Sequence, residues 1–265
     1  MKIDFKKMRP KNFNSYLYSS VEKLAMNVEK GSGNKNINNC PICKSFKRIK
    51  YIVKYKVPIV TCEKCDLTYT TKQPKNFNDV YSQDDYLKKS ILSYDKTRKY
   101  RIKRFGLERI KILKKYKKKG KLLDFGCGTG WFLEGAKKHY DSYGVEYSDS
   151  IRKWLLKKLN INTFKTLESI KGNKFDIITA FDVIEHVSDP LLLLKNLKKN
   201  LKKNGIILIY TPNFDSLGFS YLGIKNNLLC PPNHLFYFNK SSFDYMCKKV
   251  NLKTVSYTHL TLPTT

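Results

Sequence analysis

The 265-residue chain is predicted to be an α/β protein, a doubly wound parallel sheet with a small four-cysteine module ahead of it. Three observations carry this. From residue 121 onward, short apolar runs alternate with amphipathic segments of helix length, the pattern of a parallel sheet joined by crossover helices. A turn with three glycines, Gly126-Cys127-Gly128-Thr129-Gly130, closes the first of those runs and opens a helix. Cys40, Cys43, Cys62 and Cys65 fall as C-x2-C-x18-C-x2-C, a spacing suited to one tetrahedral metal ion.

Taken in order, residues 1–36 form a basic lead and linker, with a short helix over 13–28 and a polar Gly/Asn-rich stretch from 29. Residues 37–72 are the cysteine module. Each C-x2-C can form a knuckle whose two sulfurs face one ion, and the β-rich stretch 47–60 returns the chain between them. The N-terminus, Met1-Lys2-Ile3-Asp4-Phe5, is no secretory signal. A reducing cytoplasmic setting follows, which favours zinc over two disulfides. Four protein ligands leave no open coordination position, so this zinc is expected to hold a fold and not to catalyse. Residues 73–118 read as a basic helical connector with Ile102, Phe105, Ile110 and Leu113 as its buried stripe. The remaining cysteines lack metal spacing: Cys127 is a small filler in the glycine turn, and Cys230 and Cys247 stand apart.

Residues 119–254 are the main domain. Its first strand ends Leu122-Leu123-Asp124-Phe125 before the glycine turn. Asp124 would repel a dinucleotide pyrophosphate but suits a ligand bearing ammonium and sulfonium charges. The Gly-x-Gly-x-Gly spacing is also one residue shorter than the dinucleotide fingerprint. A second strand, Tyr143-Gly144-Val145, ends in Glu146, at the interval where a βαβ unit sets a carboxylate on ribose hydroxyls. Further strands are predicted over 174–180 and 205–211, with a helix over 191–201 between them. Between the fourth strand and that helix lies Phe181-Asp182-Val183-Ile184-Glu185-His186-Val187-Ser188-Asp189-Pro190; Thr211-Pro212-Asn213 closes the last strand.

These motifs together resemble the class I S-adenosylmethionine-dependent methyltransferases, and the Glu-His, Asp-Pro and Thr-Pro-Asn elements resemble the ubiquinone-biosynthesis-like branch. The resemblance covers roughly residues 121–251 and implies a Rossmann-like sheet. It also implies S-adenosyl-L-methionine as cofactor, held by Asp124, Gly126, Cys127, Gly128, Gly130, Glu146 and Tyr147, with Phe181 against the methionine part. Glu168 is the nearest candidate for the acid that usually binds adenine, and the connector helix is expected to cover the cofactor. The fold of the family places two further strands after the helix at 242–250. Residues 255–265 contain no charged residue and resemble a translated sequencing adapter, so the domain is expected to be C-terminally truncated, its last natural residue near 254.

If the acceptor is a hydroxyl, a general base must take its proton, and histidine is the usual choice. Of the four histidines, His259 falls in the adapter-like tail and His139 at the end of the first helix, away from the carboxyl edge of the sheet. His186 follows the fourth strand at that edge, where open α/β sheets bind ligands. His234 sits in Pro231-Pro232-Asn233-His234-Leu235-Phe236, similar to a Pro-x-His-Leu segment near the acceptor pocket in this branch. His234 is the expected acceptor-facing group and His186 a residue of the cofactor shell; for each, a structural histidine bonded to backbone is the alternative.

A formal charge of +30 suits an anionic partner, although lysine, asparagine, isoleucine and tyrosine are all abundant, as in an AT-rich genome. Two functions follow. One is methyl transfer to a small-molecule or glycan acceptor such as a nucleotide-sugar. The other is RNA methylation, with the zinc module and lysines on phosphates. Base-N methyltransferases commonly place Asn-Pro-Pro-Tyr after the fourth strand to hold an extruded base. Phe181-Asp182-Val183-Ile184 stands there instead and favours the first. No apolar run is long enough to span a membrane.

Overall fold

The computed structural model describes residues 34–74, 97–172 and 174–257. The early helix expected over 13–28, most of the connector before residue 97, and His259 lie outside them. The chain forms two compact units. Among the described residues, one unit holds 97–172, 174–183 and 196–210, and the other holds 34–74, 184–195 and 211–257.

The first unit is built on a five-stranded parallel sheet. Its strands are β6 (Lys121–Phe125), β7 (Asp141–Val145), β8 (Thr163–Phe164), β9 (Phe175–Phe181) and β10 (Leu201–Tyr210), in the spatial order β10-β9-β6-β7-β8. The chain steps outward one way from β6 through β7 to β8, then crosses back to lay β9 and β10 on the other side of β6. The order therefore reverses between β6 and β9, which is where ligands bind at the carboxyl ends of such sheets. Buried-type strands explain the parallel arrangement: Leu122, Leu123, Ile177 and Ile178 are all sealed from solvent. Asn204 takes a left-handed turn (φ 63°) and the pairing with β9 resumes only at Ile206, matching the start expected from sequence.

Helix α1 (Leu107–Tyr116) precedes the sheet, and α2 (Trp131–Ala136) and α3 (Asp149–Leu159) cross between strands. Leu113 and Ile110 of α1 pack with Leu122, Phe132, Leu133, Leu155 and Ile177 in the core, so half of the expected stripe is fully buried. Ile102 and Phe105 are only half-buried. They lie in a π-helical turn, Ile102–Gly106, directly before α1. The wider turn shifts the facing positions by one, which brings Gly106 and Arg109 inward instead. Local chemistry sets the other boundaries. Ser148 caps α3 by accepting the Ile151 N–H, and left-handed Asn160 ends it.

In the second unit, the cysteine module is a hairpin of β2 (Arg48–Lys54) and β3 (Val57–Cys62) extended by β4 (Thr68–Thr70). Next to it, β1 (Asn34–Asn36) pairs antiparallel with β5 (Lys72–Pro74). The fourth strand of the module's sheet comes from far along the chain: β11 (Phe236–Tyr237) pairs antiparallel with β4. Ile59 and Tyr237 share a core with Phe219, from α5 (Leu217–Leu222), and Leu229. Helix α4 (Pro190–Lys199), whose last four residues belong to the first unit, begins under the Asp189 carboxylate, which accepts the Leu192 N–H at 2.9 Å with proline in the first turn. Helix α6 (Lys240–Lys249) starts with a reciprocal cap between Asn239 and Ser242. No helix among the described residues is long and apolar enough to cross a membrane.

Candidate functional site

The glycine turn sits at the carboxyl end of β6, beside the reversal point. Gly126, Gly128 and Gly130 all take positive φ, but they serve different ends. A Cβ on Gly130 would stand 2.5 Å from Leu155 Cδ2, so this glycine lets α2 pack on α3. A Cβ on Gly128 would meet nothing within 4 Å, so Gly128 offers its backbone to open space, where a ligand can approach. Cys127 is buried, its sulfur against Gly144, and its N–H donates to the Val145 carbonyl. This is the filler expected of it.

Two carboxylates flank the turn. Asp124 is 4% exposed and accepts a hydrogen bond from Thr179 Oγ1 at 2.6 Å. Burial pushes its pKa up to about 7, against the pull of Thr179 and the Arg109 charge. A cation placed beside it would reverse that shift. Glu146 directly follows β7 and accepts the Gly128 N–H at 3.0 Å and the Ser148 N–H at 2.9 Å, one on each oxygen. Burial raises its pKa too, offset by those backbone donors. Each oxygen keeps a second lone pair, so the carboxylate can accept a ligand hydroxyl while bracing the loop. Tyr147 is 48% exposed, with the Lys165 ammonium 5.5 Å from its ring centre.

Phe181 closes β9. Its ring meets Phe132 edge-on at 4.8 Å and carries the Arg109 guanidinium 4.1 Å from its centre. Arg98 donates to the Thr129 carbonyl of the turn, pairs with Glu134 at 2.8 Å and lies over Trp154, tying the segment before the sheet to the loop. Glu168 is exposed on a short 3-10 turn, Leu167–Ser169, after β8. Thr179 and Arg109 are contributors that the sequence reading passed over. A threonine inside the apolar run Ile177-Ile178-Thr179-Ala180 was a signal for the first; the inward face of Arg109 depends on the π-turn.

In the second unit, His186 and His234 lie together, ring centres 4.6 Å apart and nearly perpendicular. His186 Nδ1 is 2.7 Å from the Asn233 carbonyl, and His234 Nδ1 is 2.8 Å from the Leu228 carbonyl. A carbonyl only accepts, so each Nδ1 carries a proton, and a neutral ring then keeps its lone pair on Nε2. Burial holds the pKa of His234 well below the usual imidazole value, with the His186 charge adding to the effect; His234 is neutral at pH 7. Glu185, 1% exposed, accepts the Thr211 hydroxyl at 3.0 Å, while its backbone carbonyl accepts the N–H groups of Leu235 and Phe236. One carboxylate and two imidazoles thus lie within 4.8 Å of one another, a set that can share a proton or hold a divalent cation. His139 is elsewhere, beside the Lys114 ammonium on the surface of the first unit.

The four cysteines converge as their spacing predicts. Cys40 and Cys65 sulfurs are 3.4 Å apart, as are Cys43 and Cys62, and all four lie within 4.8 Å. A tetrahedron of Zn–S bonds of about 2.3 Å has an edge of about 3.8 Å, so the donor set fits zinc. The two knuckles are built alike. The Cys40 carbonyl accepts the Lys44 N–H and the Cys62 carbonyl accepts the Asp66 N–H, with Lys44 and Asp66 both left-handed. No pair is joined as a disulfide.

The profile of the family described as a methyltransferase domain matches residues 94–257. Over 113 residues, the chain is 33% identical to a tRNA U34 carboxymethyltransferase of Campylobacter lari, covering 38% of this chain and 39% of that protein. It is 34% identical over 113 residues to a ubiquinone biosynthesis O-methyltransferase of Coxiella burnetii, covering 39% of this chain and 48% of that one. The chain thus spans less than half the length of these curated relatives. Among solved structures, the YcgJ protein of Bacillus subtilis aligns at a TM-score of 0.44 and 21% identity, over 55% of this chain and 67% of that one. A sugar N-methyltransferase from a Streptoalloteichus species aligns at a TM-score of 0.38 and 20% identity, over 41% and 48%. With the profile spanning more than half of its length, and with an acid-flanked glycine turn at the reversal point of a parallel sheet, the chain belongs to the methyltransferase-domain family.

Proposed function

We propose that this chain binds S-adenosylmethionine and transfers its methyl group to a hydroxyl of a small-molecule or glycan acceptor, a nucleotide-sugar being the kind envisaged. The observation that carries the reading is the pair Asp124 and Glu146 on either side of Gly128, at the point where the strand order reverses. The bound cofactor supplies a methyl group activated by a sulfonium centre. Asp124, ionised by that cationic neighbour, balances its charge. Glu146 accepts from the ribose hydroxyls, the Gly126–Gly130 backbone lies along the ligand, and Phe181 and Tyr147 border it. His234 takes the acceptor's proton at Nε2, which bears the lone pair because Nδ1 is tied to a carbonyl. His186 lies beside it, ring centres 4.6 Å apart. The cysteine module holds a structural zinc.

Calorimetric titration with S-adenosylhomocysteine, with and without bulk RNA, tests this. Binding that is lost in Asp124→Ala and indifferent to RNA is expected; retained binding in that variant would refute the assignment of the glycine turn.

A second reading, RNA as acceptor, is favoured by one surface. Phe46, Ile49 and Tyr51 are 75%, 63% and 66% exposed on the cysteine module, interleaved with Lys47, Arg48 and Lys50, a composition that can stack bases and contact phosphates. A salt-steep RNA complex coupled to cofactor binding would promote this reading.

A further inference from the structure

Arg109 is 7% exposed, in the first turn of α1, yet the nearest acidic oxygen, on Asp182, is 4.0 Å away. Aromatic rings take its faces: Phe181 at 4.1 Å, Tyr210 at 4.7 Å and Trp131 at 5.1 Å from the guanidinium carbon. Rings stabilise a cation through its faces but accept none of the N–H bonds in its plane. Among the described residues, Nη1 indeed has no hydrogen-bond partner although it is buried, and neither has Nε of Arg104 in the preceding turn. Both arginines act on the Tyr210 hydroxyl at the end of β10. A buried guanidinium, Arg109, and a half-buried one, Arg104, each with an unspent donor, thus gather around the carboxyl ends of β9 and β10; Asp182, with 63% of its side chain exposed, engages Arg109 loosely at 4.0 Å, while Glu108 holds Arg104 at 2.7 Å.

We infer that Arg109, with Arg104 beside it, is an anion receptor for the acceptor, so that the methyl-accepting molecule carries a carboxylate or a phosphate. This rests on the reading of the domain as a methyltransferase. A buried unpaired donor costs stability that a planar two-oxygen ligand restores, and a guanidinium fork matches carboxylate and phosphate alike. Asp182 occupies the place of that anion in the unliganded protein and swings out when it arrives.

The test uses the whole protein with inorganic phosphate as probe, titrated by calorimetry with and without S-adenosylhomocysteine. Arg109→Leu is expected to weaken phosphate binding at least tenfold, and Asp182→Asn to strengthen it several-fold. Arg109→Lys, which keeps the charge on the rings but loses the fork, should fall between. Lysine-rich surface binding would respond equally little to all three, and that result overturns the receptor. If Arg109→Leu instead weakens S-adenosylmethionine but spares its decarboxylated analogue, the anion is the cofactor's own carboxylate and the acceptor assignment is overturned. Should the wild-type protein bind no S-adenosylhomocysteine, the methyltransferase reading fails separately, while the phosphate titration still reports on Arg109. Near-UV circular dichroism of Arg109→Leu checks folding, and the opposite sign expected for Asp182→Asn stands without it.

Discussion

A carboxyl group held at a pKa of about 7 by burial makes Asp124 the residue whose behaviour can be followed most directly. In the ligand-free protein it retains a proton that the unfolded chain gives up near its ordinary value of 3.8. Between about pH 4 and 7 the folded state therefore binds the extra proton, and this contribution to stability declines as pH rises through that window, then levels off. Cofactor binding should run the other way. A ligand with ammonium and sulfonium charges needs the ionised form, so affinity for S-adenosylmethionine is expected to climb with pH up to about 7. Binding at pH 6 should release close to one proton, read as a dependence of calorimetric enthalpy on buffer ionisation; a buffer-independent enthalpy would remove Asp124 from the ligand's surroundings. His234 gives a contrasting expectation. Burial keeps it neutral, so no activity change between pH 6 and 8 should trace to it. His234→Gln should lower kcat by about 10²–10⁴-fold with cofactor affinity unchanged, and an unaltered kcat would return it to a structural role. The placement of Asp124 and of the glycine turn was legible in the sequence because neighbours along the chain define them: an acid at a strand's end, glycines at a turn. Arg109 was not, since its inward direction comes from a π-turn that no simple periodicity signals.

At the scale of elements, the glycine turn and the cysteine knuckles each separate packing from function. Gly130→Ala places a methyl against Leu155 in a left-handed conformation, at a cost of about 1–3 kcal/mol, visible as a lowered Tm. Gly128→Ala meets no neighbour; it should cost about 1–2 kcal/mol for its left-handed backbone but lose cofactor affinity at least tenfold. If the two variants lose affinity equally after correction for folding, Gly128 is not the ligand's neighbour. For the knuckles, Cys62→Ser should drop zinc content from about one per chain toward zero and loosen the hairpin of β2 and β3, with metal analysis as the check. Strand and helix types in the main sheet followed from alternation of apolar runs with amphipathic ones, and the structure has them nearly as bounded. Thr179 shows what such patterns hide: a polar residue inside a buried strand reads as noise until Asp124 is seen across the ladder.

Across the whole molecule, contacts do not follow chain order. The first unit gathers 97–183 and 196–210, while residues 211–257 join the cysteine module in the second. Local patterns located the module and the sheet but gave no sign of this exchange, because the pairing of Phe236 with Tyr69 depends on surfaces distant in sequence. That pairing also has a temporal consequence. The Thr70 N–H reaches the Leu235 carbonyl across 165 residues, so during vectorial synthesis the cysteine knuckles emerge long before the strand that completes their sheet. The flank of β4 that later receives β11 stays bare until nearly the entire described chain has been made. A nascent polypeptide stalled anywhere in that interval carries a hairpin whose β4 edge is unpaired, the kind of margin that invites pairing with a neighbour.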